Sequence, residues 1–188
     1  MGSEISNEMR IVRYGHPALR QPAVRVGRIT QQVRDLVAGM TDLMRRANGV
    51  GLAANQVGVA RRVAVVEVED RLIPLIDPEL VSAKGCETME EGCLSLPRLY
   101  GNVARPAQVV VRARDLEGRR FKIRGEGLLA RALLHELDHL SGKLFIDDVD
   151  QATLHWTVRS GQDGELVCQP TTLEEALKVF LAACAGGE

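Results

Sequence analysis

The chain has 188 residues, 45% hydrophobic and 26% charged, which suits one domain with a sizeable core (1–188). Its 24 Lys plus Arg and 25 Asp plus Glu give a formal net charge of -1, which argues against general nucleic-acid or membrane binding. No apolar run is long enough to span a bilayer, the polar start Met1–Glu8 does not resemble a signal peptide, and four cysteines (86, 93, 168 and 184) without a paired framework point to a reducing cytoplasm.

Residues 1–8 are expected to be mobile. Tyr14-Gly-His-Pro17 is a turn signal, with His16 in the turn rather than acting as a ligand. Thr30–Ala47 predicts an amphipathic helix, with Thr30 as N-cap and Gly49 at the left-handed stop. Gly49-Val-Gly-Leu-Ala-Ala-Asn-Gln56 leaves the backbone bare, so that a substrate or another strand can come close, and Gln56 supplies an amide donor. A plain glycine turn against a helix is the competing reading. Arg62–Val68, Leu72–Ile76 and Glu79–Ala83 predict strands, with Pro74 marking an edge or bulge. Val109–Asp115 and Arg119–Arg124 flank Glu117-Gly118 as a hairpin. Gly127–Leu140 predicts a helix that is apolar on most sides, followed by an apolar anchor at Lys143–Asp147. Trp156–Val158 and Glu165–Cys168 suggest a second hairpin around Ser160–Gly164, and Thr172 with Glu175 is a capping-box pair opening a terminal helix.

The helix after residue 127 holds His135-Glu136-Leu137-Asp138-His139. Residues four apart lie one turn apart on a single face, so His135 and His139 can aim two imidazoles at one metal ion. Glu136 lies beside that face, within reach of a metal-bound water. The bland alternative is a buried helix with two hydrogen-bonded histidines. A catalytic metal usually has a third protein ligand, and Cys93 in Glu91-Gly-Cys-Leu-Ser95 is the candidate, with Cys86 as competitor.

Taken in order, Gly49–Gln56, Glu91–Ser95 and His135–His139 resemble the three motifs of the peptide deformylase family, and Tyr14–Arg20 and Gly142–Asp147 agree with it. The match runs over about residues 10–148, and residues 149–188 carry no motif of the family. The resemblance implies an α+β fold, with antiparallel sheets around the central helix that carries the histidines. It implies that Cys93, His135 and His139 bind one divalent ion, Fe2+ first and Zn2+, Ni2+ or Co2+ otherwise. A metal-bound hydroxide would then attack the formyl group of N-formylmethionyl nascent peptides, with Glu136 as general acid and base. Gln56 and the Leu94 N–H would hold the oxyanion. Val50, Gly51, Met89, Leu128 and Ala132 would form the substrate pocket, and the ribosome exit region is an implied partner. Leu134 stands where the family usually has glutamine, next to the metal face. Glu91 and Asp138 could orient ligands or pair with Arg105. Two other readings stand beside this one. A zincin-type protease would draw its third ligand from Asp147, Asp148 or His155, and a binding module would hold a closed, structural metal.

Overall fold

The computed structural model describes residues 9–160 and 165–185. The expected mobile start and the tip of the second hairpin lie outside those residues. Nine strands are described: β1 Gly51–Ala53, β2 Val63–Val68, β3 Arg71–Lys84, β4 Glu87–Cys93, β5 Leu96–Arg105, β6 Gln108–Arg114, β7 Arg120–Glu126, β8 His155–Ser160 and β9 Glu165–Pro170. They form two antiparallel sheets, ordered β1-β2-β3-β6-β7 and β4-β5-β8-β9. Helices α1 (Gln31–Arg46), α2 (Gly127–His139) and α3 (Leu173–Ala185) complete an α+β architecture.

Helix α2 is central because its two sides do different work. Ala130, Leu133, Leu134, Leu137 and the following Leu140 pack on the five-stranded sheet against Ala64, Val66, Leu75, Val111 and Ile123. The i, i+3, i+4 row through 128, 131, 132, 135 and 139 faces elsewhere, toward the functional site. Helix α1 covers the sheet's other face through Val37, Met40 and Met44 on Leu52, Val63, Val65 and Ile76. Strand β2 therefore alternates between two buried faces, which is why Val63-Ala-Val-Val66 is apolar without a break.

The second sheet shares a core with the tail. Leu99, Val103, Phe145, Ile146 and Leu154 pack with Ala176 and Phe180 of α3. Trp156 and Phe180 sit with ring centroids 5.3 Å apart. The capping box opens α3 as its sequence implies: Glu175 N–H donates to Thr172 Oγ1 at 3.2 Å and Thr172 N–H to Glu175 Oε2 at 3.0 Å.

Two expectations change. The left-handed residue after α1 is Asn48 (φ 53), not Gly49. The two strands expected over residues 72–83 are one strand, β3, bent by irregularities between Ile76 and Glu79 and between Leu80 and Ser82. Pro74 is tolerated because β3 pairs with β6 only from Ile76 onward, leaving no ladder partner on that side. No strand was read over β4 and β5; β4 buries Glu91 beside a glycine where a strand pattern calls for an aliphatic row.

The β2–β3 hairpin turns through Glu69 and Asp70 alone, at φ 53 and 59, between paired Val68 and Arg71. Both positions call for left-handed backbone, where Asn-Gly is the favoured pair. Replacing Glu69-Asp70 by Asn-Gly should stabilise the protein by about 1 kcal/mol, raising Tm by about 2–4 °C in a thermal melt. An unchanged or lower Tm would mean that the turn carries no strain.

Candidate metal centre

Three segments meet at one point. Helix α2 presents His135 and His139, and the C-terminal residue of β4 presents Cys93. Cys93 Sγ lies 3.2 Å from His139 Nε2, which lies 3.1 Å from His135 Nε2. The three donor atoms fall within 4.8 Å of one another, the one such group of His, Cys, Asp and Glu among the described residues. Asp147 pairs with Arg20, Asp148 with Lys143 and His155 with Glu90, so no third ligand of a protease type joins the histidines. Cys86 is exposed and stands outside the group.

The donor set suits a divalent metal: one soft sulfur and two imidazole nitrogens, with no fourth side chain among the described residues closing the group. His135 Nδ1 lies 3.1 Å from Glu91 Oε2, an acceptor for an Nδ1 proton that would leave Nε2 free to ligate. Burial holds His139 well below the usual histidine range, in the neutral form that ligation needs. Asn55, fully buried in the 3-10 turn after β1, donates its amide to the His139 carbonyl and ties down the end of α2.

Glu91 is the hub behind His135. Arg105 forms a bidentate pair with it, and Arg131 Nη1 reaches its Oε1 at 2.6 Å. Burial alone would raise the Glu91 carboxyl, but hydrogen bonds from His135 and Arg105 and the charge of Arg105 outweigh it and hold the value down to about 2. Arg105 also donates to Asp138 at 2.7 Å, so both carboxylates expected beside Arg105 are paired with it. Arg131 was not expected here. In the sequence it reads as an ordinary helix charge, although its spacing of four from His135 could have marked it.

A cavity of about 560 Å³ opens onto the cluster, within the usual range for a small-ligand site. Cys93, His135, Glu136, Gln56, Leu94, Val50, Gly51, Leu128 and Ala132 all line it, as do Ile11, Arg13, Arg98 and Tyr100, which the motifs did not reveal. Met89 does not line it. It shares a face of β4 with Glu91 and Cys93 but sits further back along the strand.

The side chains on the cavity wall are held in place. Gln56 Oε1 accepts from the Ala53 N–H at 2.9 Å, which turns its Nε2 toward Cys93 Sγ, 3.5 Å away, and Ser95 Oγ, 3.3 Å away. Glu136 is buried, and its Oε2 has no partner among the described residues. Burial pushes its carboxyl up to about 7, a value that a nearby cation would draw down. The two glycines of the first motif make room for their own chain: a Cβ on Gly49 would come within 2.7 Å of Leu94, and one on Gly51 would overlap the Glu136 carboxylate. Leu134 lies in the sheet-facing core, so its apolar side chain has a structural place there.

An α+β fold with a Cys-His-His group and a buried carboxylate lining one cavity has the donor set of a metal site. A family model described as polypeptide deformylase matches residues 8–154. The chain belongs to the polypeptide deformylase family and is a hydrolase. It is 44% identical over 156 residues to the peptide deformylase of Thermomicrobium roseum, covering 78% of this chain and 89% of that one. The crystal structure of a peptide deformylase from Legionella pneumophila superposes with a TM-score of 0.76 at 35% identity, covering 95% of this chain and 98% of that one. A peptide deformylase from Synechococcus elongatus in complex with actinonin superposes with a TM-score of 0.74 at 34% identity, covering 95% and 87%.

Proposed function

We propose that the protein removes the formyl group from the N-terminal formylmethionine of newly made chains and releases formate. The observation that carries this reading is the convergence of Cys93, His135 and His139 beside the unpaired carboxylate of Glu136 on one cavity wall. Cys93, His135 and His139 would hold one divalent ion, Fe2+ before Zn2+, Ni2+ or Co2+. When bound, the ion would supply Lewis-acid chemistry and lower the pKa of water near neutrality.

The remaining work falls to the chain. Gln56 Nε2, already turned inward by the Ala53 N–H, donates to the oxyanion that develops on the formyl oxygen, together with the Leu94 N–H. Glu136 takes one proton from the attacking water and returns it to the departing amine nitrogen, so the C–N bond breaks without a free amide anion. Val50, Leu128 and Ala132 offer apolar wall to the methionine side chain. Among the described residues strand β1 pairs only with β2, and its open edge can take the peptide backbone as an added strand. Residues 149–188 belong to the same domain in this reading, supported by the β5–β8 pairing and by Phe180 in the shared core. Such a substrate places the protein in the cytoplasm near the ribosome exit; no helix among the described residues is long and apolar enough to cross a membrane.

The test is formate release from a formyl-Met tripeptide by the full chain, loaded with iron under anaerobic conditions or with nickel. Turnover should be lost on chelation and restored by metal. Cys93→Ala should lose bound metal and activity together, by more than the roughly 10–100-fold that removing an outer hydrogen bond costs. No formate from any loaded form would overturn the proposal.

A further inference from the structure

The chain's near-zero net charge hides a segregated one. Helix α1 packs on β1 and β2, and no helix of the described residues covers the same face of β6 and β7. Val109, Val111, Ala113 and Ile123 point the other way, into the core beneath α2. The alternate positions therefore face outward: Arg112 and Arg114 on β6, and Arg120, Lys122 and Arg124 on β7. The register sets Arg114 opposite Arg120 and Arg112 opposite Lys122.

Carboxylates neutralise only one side of this ladder. Asp77 pairs with Arg114, and Glu79 takes both Arg112 and Arg25. Arg120, Lys122 and Arg124 have no ion pair among the described residues. Glu126 stands at the far end, opposite Gln108. Arg25, Arg112, Arg114, Arg120, Asp77 and Glu79 also line a notch of about 270 Å³. With Lys122 and Arg124 counted, six cations share the face with three carboxylates, Asp77, Glu79 and Glu126, on a chain whose net charge is -1.

Like charges directly opposite on a sheet are destabilising, so this arrangement needs a reason. Protecting an exposed edge accounts for charge on β7, the last strand of its sheet. Arg112 and Arg114, one strand further in, hold carboxylates of their own, so the cations left open to a ligand are Arg120, Lys122 and Arg124. We infer that the outer face of the β6–β7 hairpin is a docking track for the phosphate backbone of RNA.

Cations repeat about every 6.8 Å along each strand, and Arg112 with Lys122 and Arg114 with Arg120 face each other across the pair, which suits a linear polyanion. Five of the six are arginines, whose planar forks grip phosphate in bidentate fashion. No aromatic side chain stands on the ladder, so the contact reads backbone and not base. A bilayer would call for apolar groups to insert beside the cations, and the ladder offers only half-buried Val110. The track shares no residue with the catalytic cavity, so docking and deformylation separate in experiment.

The test is fluorescence anisotropy of a short labelled RNA duplex with the metal-loaded full chain, at about 50 to 200 mM salt. The wild type should bind, more weakly as salt rises. The triple variant R120Q/K122Q/R124Q should bind at least about tenfold more weakly, with a salt slope shallower by about 2 to 3. Its formate release should be unchanged and its Tm no lower. No duplex binding at the lowest salt, or an unchanged slope in the triple variant, would overturn the inference. So would binding to vesicles of equal parts phosphatidylcholine and phosphatidylglycerol without binding to RNA. Should the triple variant not fold, Lys122→Glu alone must weaken RNA binding for the inference to stand.

Discussion

Glu91→Ala is expected to destabilise the protein by about 3–5 kcal/mol, a fall in Tm on the order of 10 °C. Glu91 is 6% exposed and is the shared acceptor for Arg105, Arg131 and His135. Removing it leaves two guanidinium groups in a space closed to water, with Asp138 paired to one of them and backbone carbonyls to the other. The cost is that of stranded charge rather than of lost contact area. Chemical or thermal unfolding of the metal-free variant measures it directly. A second readout follows from the position of Glu91 behind His135. Without its carboxylate the imidazole loses the group that fixes its tautomer, and metal affinity should fall about 10–100-fold. A loss below about 1 kcal/mol would mean that solvent reaches both arginines, and the hub would not be structural.

The site's legibility in the sequence followed sequence distance. His135, Glu136 and His139 stand within five residues, and helical geometry alone turns that spacing into a shared face. Cys93 is 42 residues before His135, and periodicity could not join them; the three ordered motifs did. Of the Glu91–Arg105–Arg131 hub, the Glu91–Arg105 pair was within reach through the second motif, while Arg131 had no local signature because alone it reads as a solvated helix charge. The same polar burial concealed β4, whose inward positions include Glu91 where a strand pattern expects an aliphatic residue. The β2–β3 turn was silent for the opposite reason: Glu69-Asp70 adopts left-handed backbone without the glycine that announces it. Helices α1 and α3 were legible to within a residue or two, since caps and apolar periods are local. The charged ladder on β6 and β7 was invisible to composition, which adds charges without regard to the face they occupy.

Glu136→Gln is expected to lower kcat by about 10²–10⁴-fold while the metal and the fold remain. The substitution keeps the shape that fits against Gly51, where no Cβ could be accommodated, and removes only the ability to carry a proton. A buried carboxylate oxygen without a hydrogen-bond partner is costly, and the fold keeps one in Glu136 Oε2 on the wall of the cavity that holds Cys93 and His135. That cost has a return if the oxygen meets a proton during the reaction. Because Val50, Leu128 and Ala132 are untouched, KM for the formyl-Met peptide should move little, placing the loss in the transition state. Metal analysis beside steady-state kinetics separates the outcomes. Near wild-type turnover in the glutamine variant would give the proton to another group, and loss of metal with activity would make Glu136 a support of the ligand cluster. Retained metal with lost kcat leaves proton transfer as its role, since neither ligation nor packing has changed.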